Sequence, residues 1–420
     1  MSAPGVPNLE GLSLEKLDVI SPAHYEQNGY PHAEWAYLRK HAPVHRFTGE
    51  NFDPFYAIVK HADIVEIGKD PANFIIEPRL AVFTRDIPPD QTKLRHLLTM
   101  DPPEHRHYRA VTAKQFTPRM VQQWAPKVSR ITRQILDEAS EKGQCDFVQD
   151  VAAPITIAVI AEMLGVPGDD WRLLFKWTNE TIAPEDPEFQ QGRTTEETLI
   201  SARMELFQYF TKLSDSRRAN PKDDIVSVVA TGKVDAKPIP PFELLGYYLL
   251  LVVAGNETTR NAMTGGMLAF NDNPGEWRRL VANPGLVDSA VEEIVRWTTP
   301  VIQFTRETTR DMVVRGTKIA KGESVCLFYG SGNRDEDIFD EPYRFRIDRN
   351  PNDHVGFGRG EHVCLGAHLA RLELRTVFDQ IRARLEAFER TGKEERVRSS
   401  FVGGIKRAPI RWKLRAAKGD

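Results

Sequence analysis

The sequence predicts a mainly helical protein with small β-sheets at its margins, built as one large domain. Long segments carry apolar residues at helical spacing, and strand-like segments are few and short. A chain of 420 residues often holds two or three domains, but no repeat, low-complexity stretch or linker divides this one. We therefore expect residues 1–420 to form a single domain, with residues 1–50 as an N-terminal segment packed on it.

Six helices follow from the apolar spacing and from the residues that begin and end them. Residues 118–142 place apolar side chains on one face, with Pro118 near the start and Gly143 just past the end. Residues 241–270 are apolar on nearly every face, which predicts a helix that crosses the interior. The remaining predicted helices cover residues 151–164, 199–218, 286–297 and 366–388.

Four short segments are predicted to be strands because they are rich in β-branched and aromatic residues. They cover residues 55–59, 312–314, 324–328 and 408–414. Turn signals stand beside them at Gly316, at Lys321-Gly322 and at Gly403-Gly404. Such short strands predict small sheets and no central one.

Charge and cysteine content exclude several classes of protein. The 56 basic and 59 acidic residues leave a net charge of -3, so we expect no nucleic-acid partner and no anionic membrane surface. The longest apolar run, residues 244–254, is shorter than the roughly 20 residues of a membrane span, so none is expected. Three cysteines without a signal-peptide pattern do not make a disulfide framework, and we expect a cytoplasmic protein.

A glycine-rich loop near the C-terminus surrounds one of the three cysteines. From Phe357 to Gly366 the chain reads Phe-Gly-Arg-Gly-Glu-His-Val-Cys-Leu-Gly, with the cysteine at Cys364. Its glycines let the backbone pass close to a flat group. The loop runs into the last predicted helix, whose N-terminal N–H groups favour a negatively charged sulfur. On the residues alone, a buried structural cysteine after a tight turn is the alternative.

This loop resembles the haem-binding signature of the cytochrome P450 family, Phe-Gly-x-Gly-x-His-x-Cys-x-Gly, at all six fixed positions. The resemblance extends over roughly residues 56–412 and implies the single-domain cytochrome P450 fold. It implies that Cys364 is the proximal ligand of the iron of haem b (iron protoporphyrin IX), with Phe357 beside the sulfur. The N–H groups of Leu365 and Gly366 are expected to hydrogen-bond that sulfur. A thiolate ligand favours O–O cleavage, so oxygen activation is the chemistry expected.

An acid and an alcohol lie midway along the long apolar helix. The segment reads Ala254-Gly255-Asn256-Glu257-Thr258-Thr259-Arg260. Such polar side chains are costly in an apolar helix unless they are used or satisfied, and a threonine can satisfy itself on the carbonyl four residues earlier. The segment resembles the family's Ala-Gly-x-(Asp/Glu)-Thr motif. By that resemblance Ala254 and Gly255 leave room over the iron, while Glu257 and Thr258 are catalytic residues that deliver protons for oxygen activation.

Haem carries two propionates, and the resemblance implies four side chains that bind them. His105 and Arg109 stand four residues apart, which places them on one face of a helix. Arg306 and His362 complete the expected set, and the planar fork of an arginine suits a carboxylate. Each residue alone could equally be an ordinary solvated side chain.

A buried ion network is also expected from the resemblance. Glu293 and Arg296 fit the family's Glu-x-x-Arg pattern, and Arg344 is expected as the third member. Their expected role is structural, because they would brace the cysteine loop.

The expected substrate is a hydrophobic small molecule, because the positions that face haem in this family are mostly apolar here. They fall in residues 74–98, near Leu250, in residues 301–304 and in residues 401–402. Individual members could instead be plain core residues. The apolar candidates are Ile75, Ile76, Leu80, Val82, Phe83, Val253, Ile302 and Phe401.

Residues 256–261 and 401–405 look most similar to the family branch that hydroxylates sterols and other lipids, although terpenes and alkanes stay open. The second substrate is O2. The chain shows no flavin fingerprint and no iron–sulfur cysteine cluster, so ferredoxin and ferredoxin reductase are the expected electron donors. An acidic ferredoxin would dock on basic residues near the cysteine loop, unless these are ordinary surface charges. They are Arg106, Lys114, Arg119 and Arg359.

The leading hypothesis is thus an oxygen-dependent haem-thiolate monooxygenase. A haem-binding sensor or carrier without turnover is the alternative from another class, but it has no need of a proton relay such as Glu257 and Thr258. A helical protein without haem would make the cysteine loop an accident.

Overall fold

Helices make up most of the protein, and the computed structural model describes residues 7–84 and 95–415. In those ranges the helices are α1 Pro22–Asn28, α2 His32–His41, α3 His61–Gly68, α4 Glu104–Ala113, α5 Pro118–Gln122, α6 Ala125–Glu141, α7 Ala153–Leu164, α8 Trp171–Ile182, α9 Pro187–Gln190, α10 Thr195–Ala219, α11 Ile225–Ala230, α12 Pro241–Asp272, α13 Pro274–Ala282, α14 Val287–Thr298, α15 Tyr329–Gly332 and α16 Ala367–Arg384.

The strands are short and gather into small sheets. They are β1 Val44–Gly49, β2 Phe52–Ile58, β3 Phe74–Ile75, β4 Gln144–Asp146, β5 Lys233–Val234, β6 Lys237–Pro238, β7 Gln303–Thr308, β8 Met312–Val314, β9 Thr317–Ile319, β10 Ser324–Phe328, β11 Leu385–Arg390, β12 Glu395–Arg396, β13 Ile405–Arg407 and β14 Pro409–Leu414. The largest sheet has the order β1-β2-β10-β7-β3, and a second sheet has the order β11-β14-β4.

The predicted fold class is confirmed, and its helices differ from the prediction mainly at their ends. The helix expected over 118–142 is two helices, α5 and α6, because the chain turns at Gln123 and Trp124. The helix expected over 366–388 ends at Arg384, since the following residues pair with β14 as strand β11. The strands expected at 312–314 and 324–328 have the predicted ends.

The long helix α12 is the centre of the fold, as its all-round apolar pattern predicts. It packs against α7, α8, α14 and α16. Two hydrophobic clusters flank it, one containing Tyr247 and Val252, the other containing Met263 and Phe270. Within the described ranges, no helix combines the length and apolar character that crossing a bilayer requires.

The described part of the N-terminal segment lies against the large sheet and the end of α14. The Trp35 side chain is fully buried, with its ring 5.9 Å from the ring of Phe328 on β10. The Tyr30 hydroxyl donates to the carbonyl of Thr299 at 2.9 Å. These contacts attach the segment to the same side of the molecule as β7 and β10.

Candidate functional site

A cavity lies between α12, α4, β7 and the glycine-rich loop that precedes α16. It surrounds about 1480 Å³ of empty space, counting its open mouth. Eleven of the twelve site residues expected from the sequence line it, and Glu257 is the exception. The eleven are His105, Arg109, Ala254, Gly255, Thr258, Arg306, Phe357, His362, Cys364, Leu365 and Gly366.

The cysteine loop owes its shape to two glycines and a short backbone ladder. Gly358 and Gly360 have φ angles of +69° and +75°, a region that side chains with a Cβ rarely adopt. A Cβ at Gly360 would stand 2.0 Å from the carbonyl oxygen of Gly68 at the end of α3. The Cys364 N–H donates to the Phe357 carbonyl at 2.9 Å. The loop is therefore fixed against α3 and presents Cys364 to the cavity.

The Cys364 thiol is exposed on the cavity wall, while protein encloses it on its other sides. Burial raises the pKa of Cys364, and this outweighs the Gly366 N–H, Arg109 and Arg371, which lower it. The Gly366 N–H at the start of α16 favours the thiolate, as expected from the sequence, but burial opposes it more strongly.

Four basic side chains gather at one edge of the cavity. His105 is 1% exposed, and its ring centroid lies 4.2 Å from that of His362. Arg109 donates to the Val363 carbonyl at 2.7 Å, and the buried Arg306 donates to the Thr305 carbonyl at 2.7 Å. Burial, together with the charges of Arg306, His105 and Arg109, lowers the pKa of His362 to about 2.

This edge fits the carboxylates of a flat anionic group. Both ring nitrogens of His362 are buried, and among the described residues neither has a hydrogen-bond partner. Buried polar atoms normally have one. Arg109 and Arg306 bring two fixed charges to the same wall, while Glu361 engages His105 at 3.4 Å and Arg106 at 2.8 Å. Together with a cysteine in the same cavity, these residues fit haem.

On α12, the alcohol faces the cavity and the acid does not. The Thr258 hydroxyl donates to the Ala254 carbonyl at 2.9 Å, which leaves its oxygen free to accept a hydrogen bond from the cavity side. A Cβ at Gly255 would stand 2.8 Å from the Ile160 side chain. Gly255 therefore lets α7 and α12 pack closely. The expectation from the motif is that the missing side chain leaves room over the iron.

Glu257 is 1% exposed and lies on the side of α12 that packs on α8. One carboxylate oxygen is ion-paired with Arg260 and accepts from Asn261 at 3.3 Å. Arg260 in turn donates to Asn179 of α8 at 3.1 Å. The other carboxylate oxygen is buried and has no partner within the described ranges.

The expected ion network exists, but its third member is Arg349 and the expectation of Arg344 is wrong. Arg296 donates to Glu293 through Nε at 2.7 Å and Nη2 at 2.8 Å, and both side chains are fully buried. Arg349 donates to Glu293 at 3.1 Å. The Arg344 side chain is 56% exposed and pairs with Glu341, whereas a turn closed by the Arg349 N–H and the Arg346 carbonyl brings Arg349 to Glu293.

The wall of the cavity on the substrate side is apolar, but none of the eight apolar candidates named from the sequence lines it. Leu97, Leu98, Leu250, Val301 and Phe304 line the cavity. The Phe401 ring packs behind Phe304 at 5.6 Å and against Phe83 at 5.7 Å. Two expected wall residues, Val82 and Ile302, are instead buried in the core. Residues 85–94 of the expected 74–98 wall lie outside the described residues.

The sequence did not assign three side chains that support the site residues. Arg260 pairs with Glu257 and donates to Asn179, and the i,i+3 spacing of Glu257 and Arg260 was a signal for that ion pair. Arg371 stacks on Phe357, with its guanidinium carbon 4.4 Å from the ring centroid. Nothing in the sequence indicates the contact between Asn179 and Arg260, because it depends on the packing of α8 against α12.

The helical fold surrounds a cavity that has one cysteine, a cationic edge and an apolar wall. These features define a site for a haem-type group and a hydrophobic molecule. A family model described as Cytochrome P450 matches residues 36–409. A steroid C26-monooxygenase of Rhodococcus jostii is 36% identical over 97% of this chain and 86% of its own length. A methyl-branched lipid omega-hydroxylase of Mycobacterium tuberculosis is 34% identical over 97% of this chain and 96% of its own.

Solved structures agree with these relatives. A cytochrome P450 of Mycobacterium marinum in complex with pseudoionone superposes with a TM-score of 0.88 at 31% identity, covering 96% of this chain and 99% of its own. The chain belongs to the cytochrome P450 family. It is an oxidoreductase of the monooxygenase class, which sets aside the non-catalytic sensor and the helical protein without haem.

Proposed function

We propose that this enzyme inserts one oxygen atom from O2 into a steroid or another hydrophobic lipid. The observation that carries the proposal is the apolar cavity that faces Cys364 and is lined by Leu250, Val301 and Phe304. An apolar cavity with few polar groups suits a hydrophobic ligand. The names of the steroid and branched-lipid relatives support the substrate class.

The group held opposite this wall is proposed to be haem b, with Cys364 as its thiolate ligand. Bound haem supplies the iron at which O2 is activated, and a thiolate ligand favours O–O cleavage. Coordination of the Cys364 sulfur to a metal cation would favour the thiolate over the thiol. His105, Arg109, Arg306 and His362 are proposed to bind the two propionates.

Protons are proposed to reach the cavity through Glu257 and Thr258. The Thr258 oxygen can accept a hydrogen bond on the cavity side because its own proton is donated to Ala254. The buried carboxylate oxygen of Glu257 that has no partner among the described residues is the atom proposed to take part in the relay. Arg260 occupies the other oxygen, so one carboxylate oxygen is left for that role.

Electrons are proposed to come from an acidic ferredoxin that is reduced by its own reductase. Of the basic residues expected to receive it, Lys114 and Arg119 are exposed, whereas Arg106 and Arg359 are ion-paired with Glu361 and Asp353. Docking is then carried mainly by the two exposed cations. Three free cysteines suit a reducing compartment, and a cytoplasmic location for a single-domain protein is part of the proposal.

Turnover under 18O2 tests the proposal. The enzyme, a ferredoxin and its reductase are supplied with a steroid, a methyl-branched fatty acid, a terpene and an alkane in parallel. We expect hydroxylated steroid or branched lipid that carries one 18O atom. If only the terpene or the alkane product carries the 18O label, the proposed substrate class is wrong and that compound class takes its place. Product that carries no 18O from any substrate would refute oxygen insertion.

A further inference from the structure

Arg371 is the charged side chain that lies against the ring beside Cys364. It belongs to the second turn of α16, and its guanidinium carbon stands 4.4 Å from the centroid of the Phe357 ring. Phe357 in turn lines the cavity with Cys364 and accepts the Cys364 N–H at its carbonyl. A cation over the face of an aromatic ring is held there by the ring's quadrupole. Arg371 is thus attached to the same loop residue that carries the cysteine backbone.

Glu292 of α14 fixes the direction of this cation. Arg371 donates to the two Glu292 oxygens through Nε at 2.6 Å and Nη2 at 2.8 Å, and the buried His354 contacts the same carboxylate at 3.1 Å. A bidentate fork of this kind fixes the plane of the guanidinium. Burial alone would raise the pKa of Glu292, but Arg371 and His354 lower it to about 2. The carboxylate is therefore charged at neutral pH.

Two cations lie beside the loop that carries Cys364: Arg109 from α4 donates to the Val363 carbonyl, and Arg371 from α16 stacks on Phe357. Arg109 lines the propionate edge of the cavity and is already assigned there. Arg371 does not line the cavity, so it is not part of the propionate edge and approaches the cysteine loop from behind Phe357. The low local dielectric makes such a charge effective over several ångströms.

We propose that Arg371, oriented by Glu292 and stacked on Phe357 beside the cysteine loop, is a positioning residue whose positive charge makes one-electron reduction of the bound iron easier. The proposal rests on the assignment of Cys364 as the thiolate ligand. Reduction adds one negative charge to a site that already holds a thiolate, and a nearby cation favours the reduced form. Glu292 has the opposite effect, because its charge partly cancels that of Arg371.

The test is a spectroelectrochemical titration of the haem-loaded enzyme without substrate, which measures the midpoint potential of the ferric/ferrous couple. Arg371→Met keeps the bulk and removes the charge. We expect it to shift the equilibrium about tenfold toward the ferric form, equal to about 59 mV for one electron. Arg371→Lys should restore most of the potential, and Glu292→Gln should raise it.

Arg375→Met is the matched control, one turn further along α16. Arg375 is 51% exposed and pairs with Asp288, so its loss should leave the potential unchanged. The proposal is overturned if the ferric/ferrous equilibrium constant of Arg371→Met, calculated from its midpoint potential, lies within twofold of the wild-type value. It is also overturned if the midpoint potentials of Arg371→Met and Glu292→Gln shift in the same direction, because that result would indicate general disruption of the loop.

Two further outcomes are separable. If Arg371→Met does not bind haem, Glu292→Gln decides the matter, because a raised potential supports the proposal and an unchanged one overturns it. If the reduced, carbonmonoxy-bound wild-type protein lacks the red-shifted Soret band of a thiolate ligand, the ligand assignment has failed and the proposal falls with it. If that band is present and the potentials do not move, only the role of Arg371 is refuted.

Discussion

Replacing Arg349 by methionine removes four hydrogen bonds from the buried network that braces the cysteine loop. Arg349 donates to Glu293 at 3.1 Å, to the Asp340 carbonyl at 2.6 Å, to the Glu341 carbonyl at 3.2 Å and to the Arg344 carbonyl at 2.9 Å. Breaking a buried ion pair by removing one partner costs about 3–5 kcal/mol. Because Glu293 keeps its bidentate contact with Arg296, we expect the lower end, ~3 kcal/mol.

Arg344→Met is the matched control, since the same change is made five residues away. The Arg344 side chain is 56% exposed, and its partner Glu341 is 48% exposed. Exposed pairs contribute about 0–1 kcal/mol, so the loss should be small. Both variants are compared by urea unfolding of the haem-loaded protein, followed by far-UV circular dichroism and by the Soret band, whose transitions must coincide for the free energy to be defined.

An equal loss of unfolding free energy in Arg344→Met and Arg349→Met would contradict the assignment of Arg349 to the network. That result would return Arg344 to the network, as the sequence pattern had it. A large loss in Arg349→Met alone confirms that Arg349 is the third member. The network reaches the loop through Asn333, whose carbonyl accepts from Arg296 at 2.8 Å and whose side chain accepts the Val355 N–H at 2.8 Å.

Three more outcomes follow from the site. Thr258→Ala should divert most of the reducing equivalents to peroxide, while Thr258→Ser retains product formation; equal coupling in both would contradict the proton role. Arg306→Met should release haem to apomyoglobin about tenfold faster than wild type, as expected for the loss of one charge-assisted hydrogen bond to a propionate; an unchanged rate removes Arg306 from that edge. The lowered pKa of Glu292 contributes stability above its ordinary value of 4.5 that is lost as the pH falls toward about 2. The loss is at most ~3 kcal/mol before screening, and an equally steep acid denaturation of Glu292→Gln would contradict it.

The features that the sequence predicts best are those written in neighbouring residues. The Cys364 loop depends on glycines whose positive φ angles are local, and the structure reproduces them at Gly358 and Gly360. The helix α12 is apolar on nearly every face, so its path through the interior is visible in the pattern. Eight of the twelve expected site residues lie on these two elements and line one cavity because the elements face each other, while α4 and β7 supply three more.

The features that the sequence predicts poorly depend on distant partners. Leu385 to Arg390 continues a helical pattern, yet it becomes β11 because β14 offers a strand to pair with. Glu257 points to Arg260 and away from the cavity because α8 packs on that side of α12. Arg349 replaces Arg344 in the ion network because a turn brings it to Glu293. The spacing of residues in the sequence alone does not determine any of these three features.

The central claim is that Cys364 binds the haem iron as a thiolate. The measurement that tests it most directly is the absorption spectrum of the reduced, carbonmonoxy-bound protein, recorded for the wild type, Cys364→Ser and the buried-cysteine control Cys326→Ser. The wild type and Cys326→Ser should show the strongly red-shifted Soret band of a thiolate-ligated haem, and Cys364→Ser should lose it. Retention of that band in Cys364→Ser would contradict the assignment.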